Sequence, residues 1–300
     1  MSTTALEPRE PGRPRPGQTP ARTSSGRVRR RVLPGFGLTM GGTLFYLALI
    51  VLLPIAALIL KTADGGLLRF WEVISSPRAV ASFQITVSAA LAATAFNAVY
   101  GLLMAWVLVR YRFPGRRLID ALVDVPFALP TAVAGIALTA LFAGNGWFGG
   151  SLESAGVKVV YTIVGVSVAM AFTSVPFVVR TVQPVIEELK PEIEEAAATL
   201  GASDWQTFRK VIYPAIFPAH LAGCAMAFAR SLGEFGAIIF IAGNLPYQTE
   251  IAALLIFIRL EEYDYPAAAA IASVLLFVAF LTLFTTNAIQ AWRVKRVVKD

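Results

Sequence analysis

The chain alternates long stretches without a charged residue and short segments in which charge is concentrated. Uncharged runs of 29, 31, 28, 21, 19 and 28 residues lie between Arg31 and Lys61, Arg78 and Arg110, Asp124 and Glu153, Lys158 and Arg180, Lys210 and Arg230, and Asp264 and Arg293. A helix needs about 20 apolar residues to cross the hydrocarbon core of a bilayer. Each run meets or nearly meets that length. The pattern predicts an all-α integral membrane protein with six transmembrane helices, at about 37–60, 84–109, 122–143, 159–179, 212–241 and 266–290. A soluble helical core would show shorter, amphipathic runs. One further apolar stretch, Ile251 to Ile258, has only 8 residues. It is too short to span, and a re-entrant or interfacial helix fits it better. Glu261, Glu262 and Asp264 follow as an acidic cluster before the last run.

Composition agrees. Residues are 56% hydrophobic and 15% charged, against roughly 25% charged in a soluble domain. The distribution of lysine and arginine sets the expected orientation. Of the 26 basic residues, 20 fall in the segment to Arg31, the 110–117 loop, the 180–210 segment and the C-terminus, and 5 fall on the other side. Arg230 lies within a span and completes the count. Both termini are therefore expected in the cytoplasm. The same asymmetry accounts for the net charge of +7, so no nucleic-acid partner is invoked. Residues 1–31 hold five prolines and eight arginines, which predicts a disordered basic cytoplasmic tail able to touch anionic lipid headgroups. Residues 32–292 then form the membrane domain and 293–300 a cytoplasmic C-terminus. The first apolar run lacks a small-residue cleavage site and reads as a retained helix. With one cysteine, Cys224, and one histidine, His220, no intrachain disulfide forms, and a zinc or iron site lacks its ligand cluster. The simplest reading makes His220 an interfacial side chain and Cys224 a small packing residue. Neither supplies the constellation that a membrane enzyme would need.

The segment Glu187 to Pro214 reads EELKPEIEEAAATLGASDWQTFRKVIYP and carries dense helix signals. Pro191 suits a first helical position. Glu192, Glu194 and Glu195 place negative charge at the positive end of a helix dipole. Ala196, Ala197 and Ala198 are the best helix formers. Gly201 supplies a left-handed residue to end the helix, and Ser203 with Gln206 makes a capping box for the next. Two short helices joined at a glycine turn are expected just beneath the membrane.

Here the sequence resembles a family. Glu195-Ala196-Ala197, Gly201, Val211 and Pro214 are similar to the EAA loop of ABC importer permeases, with Val211 and Tyr213 in place of the usual isoleucine and leucine. The resemblance implies the type I importer permease fold, whose core is expected at about 80–290. It also implies that Glu194, Glu195, Ala196, Ala197, Gly201, Val211 and Pro214 belong to a coupling helix docked in a groove of an ATPase subunit. No G-x-x-x-x-G-K-[ST] phosphate loop occurs in the chain, so ATP and its Mg²⁺ are expected on that partner and no cofactor on this chain. Arg110-Tyr111-Arg112-Phe113-Pro114-Gly115, the stretch Pro126 to Gly135, Pro176 to Pro184, Ser231 to Gly236 and especially FIRLEEYDYPAAAAIASV (257–274) resemble sulfate/thiosulfate permeases of the CysT type over about residues 30–295. That resemblance implies two ATPase copies, a second homologous permease, and a periplasmic sulfate- or thiosulfate-binding protein. Permeases for a related oxyanion such as molybdate share the architecture. A non-transporting membrane anchor for an ATPase is a further alternative.

Candidate residues for an anion path follow from position. Arg230 is a charge at membrane depth, which by default marks a pathway. Glu234 lies four residues on and is placed to pair with it, so the two also read as a structural ion pair. Thr131, Thr173, Ser174 and Ser231 offer hydroxyl donors, though such residues are common in membrane helices for packing. Pro126, Pro130 and Pro176 either open backbone N–H groups toward an anion or merely kink their helices.

Overall fold

A computed structural model of the chain describes residues 36–297, with side chains to residue 292. The expected tail at 1–31 and residues 298–300 lie outside the described residues. By contacts the chain divides within its first helix, between Val51 and Leu52. That helix, α1 (Phe36–Asp64), carries no charge before Lys61 and has no buried residue.

The second unit is a bundle built on three helices. α2 (Gly66–Ile74) is a short amphipathic helix that the charge pattern did not reveal. α3 (Pro77–Arg110) starts on Pro77 after the N-cap Ser76 and runs for 34 residues. α8 (Ile163–Glu188) and α11 (Tyr213–Leu232) pack against it. Asn97 meets Ala171 and Ser174, and Gly101 meets Val178, so α3 and α8 run parallel. Ser231 meets Ser174 while Gly223 lies against Val178, so α11 runs antiparallel to α8. The contacting faces carry small residues, including Ala90, Ala93, Gly101, Ala105, Gly223 and Ala227. Without a hydrophobic driving force between helices in lipid, such residues gain their dispersion contacts by close backbone approach. α14 (Tyr265–Val297) closes the bundle, its Gln290 donating to the Pro218 carbonyl of α11 at 2.8 Å.

Five helices are long and apolar enough to cross a membrane among the described residues. The run expected to be a single third span, 122–143, is different. It is broken into α4 (Arg116–Val123), α5 (Val125–Ala128) and α6 (Thr131–Phe142). Pro126 opens α5, and Pro130 stands outside α6 as its N-cap. Each proline removes a backbone donor and disfavours helix in the residue before it. Pro176 and Pro184, in contrast, sit inside a continuous α8. Since α3 and α8 are parallel, the 111–162 segment must carry the chain from the Arg110 end of the bundle back to the Ile163 end. It does so as an arch. At one end Asp120 and Asp124 hold Arg180 of α8. At the start of α6, Thr131 and Gly135 abut the backbone at Gly236 and Ala237. Beneath it, against α3 and α8, lies an apolar cleft of about 860 Å³.

The expected fifth span also changes. The helix ends at Leu232 rather than near 241, and after a non-helical break α12 (Ile238–Ile241) follows. The 251–258 stretch forms a short helix, as expected of it, in α13 (Ala252–Glu261), with Ala252, Leu254 and Leu255 buried. α7 (Gly149–Ser154) connects the arch to α8. Arginine pairs join distant parts of the bundle. Arg78 grips Glu250 with two bonds of 2.8 and 2.6 Å, and Arg69 reaches Asp264 at 2.8 Å.

The contact of Gly101 with Val178 gives a test. A Cβ on Gly101 would lie 2.8 Å from Val178 Cβ and Cγ1. Gly101→Val is expected to destabilise the fold by about 1–3 kcal/mol, read as a lower melting temperature and folded yield in detergent. Gly41→Ala, with open space around it, is expected to leave both unchanged.

Candidate functional site

Two groups of residues answer to the sequence-predicted candidates. The first is a helix pair at the Arg110 end. α9 (Pro191–Thr199) begins on Pro191 with Glu192 and Glu194 in its first turn. Gly201 follows at φ +80°, a conformation that costs a side-chain-bearing residue strain. Ser203 then caps α10 (Asp204–Thr207) with the complete reciprocal box to Gln206. The second helix is not a separate short one, however. α10 passes through a π-helical turn (Phe208–Ile212) directly into α11, so the helix is continuous from Asp204 to Leu232. Val211 lies in the π turn and Pro214 in the first turn of α11.

The pair is fastened to α3 by groups that position alone did not single out. Glu194 pairs with Arg110, the last residue of α3, whose guanidinium lies over the Trp106 ring at 5.2 Å. Trp106 meets Phe208 edge-on at 5.5 Å, and Phe208 stacks on Trp205 at 5.7 Å. Glu194 thus faces inward. Glu195, Ala196 and Ala198 are exposed and Ala197 half-buried. With Ile193, Leu200 at 88% exposure and Trp205 at 67%, they form an apolar surface with an acidic edge. Exposed aromatic and aliphatic side chains gathered on one small helical feature are the usual sign of an interaction site. The sequence signal for the fastening was present in Trp106, Trp205 and Phe208, but the aromatics are too far apart along the chain to be matched without the fold.

The second group lies inside the bundle. Arg230 Nη1 stands 2.7 Å from Glu234 Oε2. The contact is an ion pair without hydrogen-bond alignment, since Glu234 Oε2 has no hydrogen-bond partner. The pair is asymmetric: the Arg230 side chain is 36% exposed and that of Glu234 only 1%. Glu234 does not continue the helix. It follows the C-cap Gly233, and its Oε1 accepts from Ala237 N at 3.2 Å. Thr131, the first residue of α6, lies against Gly236 two positions further on.

Ser174 and Ser231 are placed differently. Both are fully buried at the α3–α8–α11 contact. Ser231 Oγ bonds Ser174 Oγ at 3.2 Å, and Asn97 Nδ2 donates to Ser174 Oγ at 2.9 Å and to the Ala171 carbonyl at 3.0 Å. Thr173 is buried as well and bonds back to Met170. These hydroxyls are engaged in joining helices. Asn97, an amide in the middle of a charge-free run, was the available signal for this cluster. His220 is buried among the helices, its Nε2–H donating to the Ala98 carbonyl at 2.9 Å. Cys224 is partly buried among the packed side chains.

Comparison with known proteins now bears on this arrangement. Residues 97–299 match the family described as binding-protein-dependent transport system inner membrane component. The sulfate transport system permease protein CysT of Escherichia coli (strain K12) is 58% identical over 269 residues, which is 90% of this chain and 97% of the relative. The protein of the same name from Synechocystis sp. is 49% identical over 83% of this chain and 87% of its own length. Among solved structures, a bacterial alginate ABC transporter in complex with an alginate pentasaccharide-bound periplasmic protein aligns with a TM-score of 0.70 at 16% identity, covering 85% of this chain and 93% of that one. An inward-facing MetNI methionine ABC transporter aligns with a TM-score of 0.54 at 18% identity, covering 71% and 94%. The last two support the fold. With the match over 97–299 and the extended identity to curated permeases, the chain belongs to the binding-protein-dependent transport system inner membrane components, as an ABC importer permease of the CysT type and not an enzyme.

Proposed function

We propose that this chain is the permease of an ATP-driven importer that brings sulfate or thiosulfate across the bacterial inner membrane. The observation that carries the reading is the 58% identity to a sulfate permease over 97% of that protein's length, because an aligned stretch of 269 residues spans both groups of residues described above. Its partners are two copies of an ATPase subunit, a second homologous permease and a periplasmic binding protein for the anion. ATP and Mg²⁺ act on the ATPase.

With the arch taken as the third crossing the chain crosses six times and both termini share one side, and the 20-to-5 division of basic residues supports the cytoplasm as that side. The Arg110 end then faces the cytoplasm, and the exposed surface of Glu195, Ala196, Ala197, Leu200 and Trp205 meets the ATPase. Helix-in-groove recognition suits it: small alanines permit close approach and large apolar groups supply anchors. Gly201 fixes the angle between the two helices, Glu194 holds the pair to α3, and Val211 and Pro214 carry it into α11. Closure of the ATPase on ATP moves this pair. Because α10 and α11 are one helix, the motion reaches Arg230 without an intervening joint. Arg230 and Glu234 together are neutral and would not hold a dianion, so Arg230 exchanges Glu234 for the anion during the cycle. Thr131 borders the same place. Ser174 and Ser231 hold the wall behind it. The contacts with the anion are weak by design of the cycle, since selection belongs to the binding protein and the permease must release what it receives.

Labelled sulfate uptake is expected to disappear in a strain lacking only this chain and to return on complementation; uptake inhibited by molybdate rather than by thiosulfate would point to a different oxyanion. Gly201→Val imposes a β-branched side chain on a left-handed backbone, at a cost of about 1–2 kcal/mol. It is expected to weaken ATPase co-purification and substrate-stimulated hydrolysis; if both are unchanged, the coupling role is wrong. Glu234→Gln leaves Arg230 without its counter-charge, and a loss of transport by roughly 10-fold or more is expected, measured in vesicles at equal amounts of assembled complex.

A further inference from the structure

The arch formed by α4, α5 and α6 is held at α4 and again at the start of α6, and it stands over a cleft. The cleft of about 860 Å³ is lined from above by Ile119, Leu122, Pro126 and Leu138, and from below by α3 and α8. The arch therefore has room to move against the bundle, and its attachments decide what moves it. One attachment is Arg180. All five N–H groups of a guanidinium are available as donors in a rigid fork, and here the fork is fully used. Nε donates to Asp124 Oδ1 at 2.8 Å, and Nη2 to Asp124 Oδ2 and to the Asp120 carbonyl, both at 2.7 Å. Nη1 donates to Asp120 Oδ1 at 2.7 Å and to Gln183 Oε1 at 2.8 Å. Bidentate charge-assisted pairing of this kind fixes orientation as well as distance. Beside it, Phe127 of α5 meets Phe177 of α8 edge-on at 5.2 Å. The other attachment is apolar and close: Gly135 against Ala237, and Thr131 against Gly236.

We infer that Arg180 is a positioning residue for transport, the joint through which α8 drives the arch. The inference rests on the permease reading. α8 is continuous to Glu188, only three residues before the helix pair resumes at Pro191. Displacement of the pair by the ATPase is passed up α8, through the Arg180 fork into α4 and α5, and so to Thr131 at the start of α6, which meets the backbone at Gly236. That backbone lies two residues from Glu234, which pairs with Arg230. The chain so has two routes from the ATPase to the same ion pair. α11 reaches it from one side and the arch from the other. Opening the pair requires both to move together, and the fork keeps them in step. A lysine at 180 retains the charge but offers a compact ammonium with three donors, and cannot set the angle of the arch.

The test uses the whole complex, with its ATPase, second permease and binding protein, in proteoliposomes. Arg180→Lys and Arg180→Gln are compared with the double variant Asp120→Asn/Asp124→Asn, and with Lys61→Gln, which removes only an exposed local pair to Asp64. Assembly, ATP hydrolysis and labelled sulfate import are measured on the same preparations. The expected result is assembled complex that hydrolyses ATP at an unchanged rate but imports about 5- to 100-fold less sulfate per ATP in all three clamp variants, with Lys61→Gln unchanged. An unaltered ratio of sulfate to ATP in assembled clamp variants overturns the inference while leaving the permease reading intact. Loss of assembly in all three also overturns it, since the fork would then serve folding alone. Absence of sulfate import by the unaltered complex defeats the permease reading itself.

Discussion

The contact of α3, α8 and α11 through small side chains is the constraint on which the other parts depend. In lipid, apolar side chains gain nothing by turning from the solvent to each other, so helices hold together by close packing and by hydrogen bonds. Gly101 admits Val178 to the α3 backbone, and Gly223 admits α11 to α8. With the backbones that near, short polar groups reach across, and Asn97, Ser174 and Ser231 join all three helices. The parallel course of α3 and α8 follows from the same contact. That course obliges the chain to return between them, and so creates the arch.

Around this fixed centre, arginines join the parts that the small residues cannot reach. Arg78, Arg110 and Arg180 each pair with a carboxylate more than fifty positions away. They lie toward the ends of the helices, where water lowers the cost of charge. Arg230 is the exception: its carboxylate, Glu234, lies only four positions on and is as deeply buried as Glu250, but Glu234 Oε2 takes no hydrogen bond, whereas Glu250 takes two from Arg78. An ion pair of that kind contributes little net stability but is expensive to leave half-made. Such a pair is a poor fastener and a good switch, which fits its place near the meeting of α6 and α11.

How much of this could be read in the sequence varied with the range of the interactions. The long helices were legible because charge is excluded over their lengths. Local backbone chemistry was legible too, as the left-handed Gly201 and the Ser203–Gln206 box show. The third run misled because hydropathy does not register hydrogen-bond geometry, and Pro126 and Pro130 interrupt the helix without adding charge. Pro176 and Pro184 show the limit of that rule, for neighbouring helices hold α8 together through both. Ser174 and Ser231 looked like donors for an anion, and the fold uses them between helices. Arg180 with its two aspartates was invisible, since nothing local relates residues so distant along the chain.

The π turn at Phe208–Ile212 has a meaning of its own. Such a turn accommodates one more residue than the α-helix around it, and one residue corresponds to about 100° of rotation at 3.6 residues per turn. It therefore acts as a phase shifter. Phe208, at its start, meets Trp106 and Trp205, while Ile216 and His220 beyond it are buried against the bundle. Such a turn has the form of a one-residue insertion retained in a helix. Restoring the ordinary repeat would leave every residue of α11 in place along the chain and turn Gly223 away from Val178, on which α8 and α11 meet.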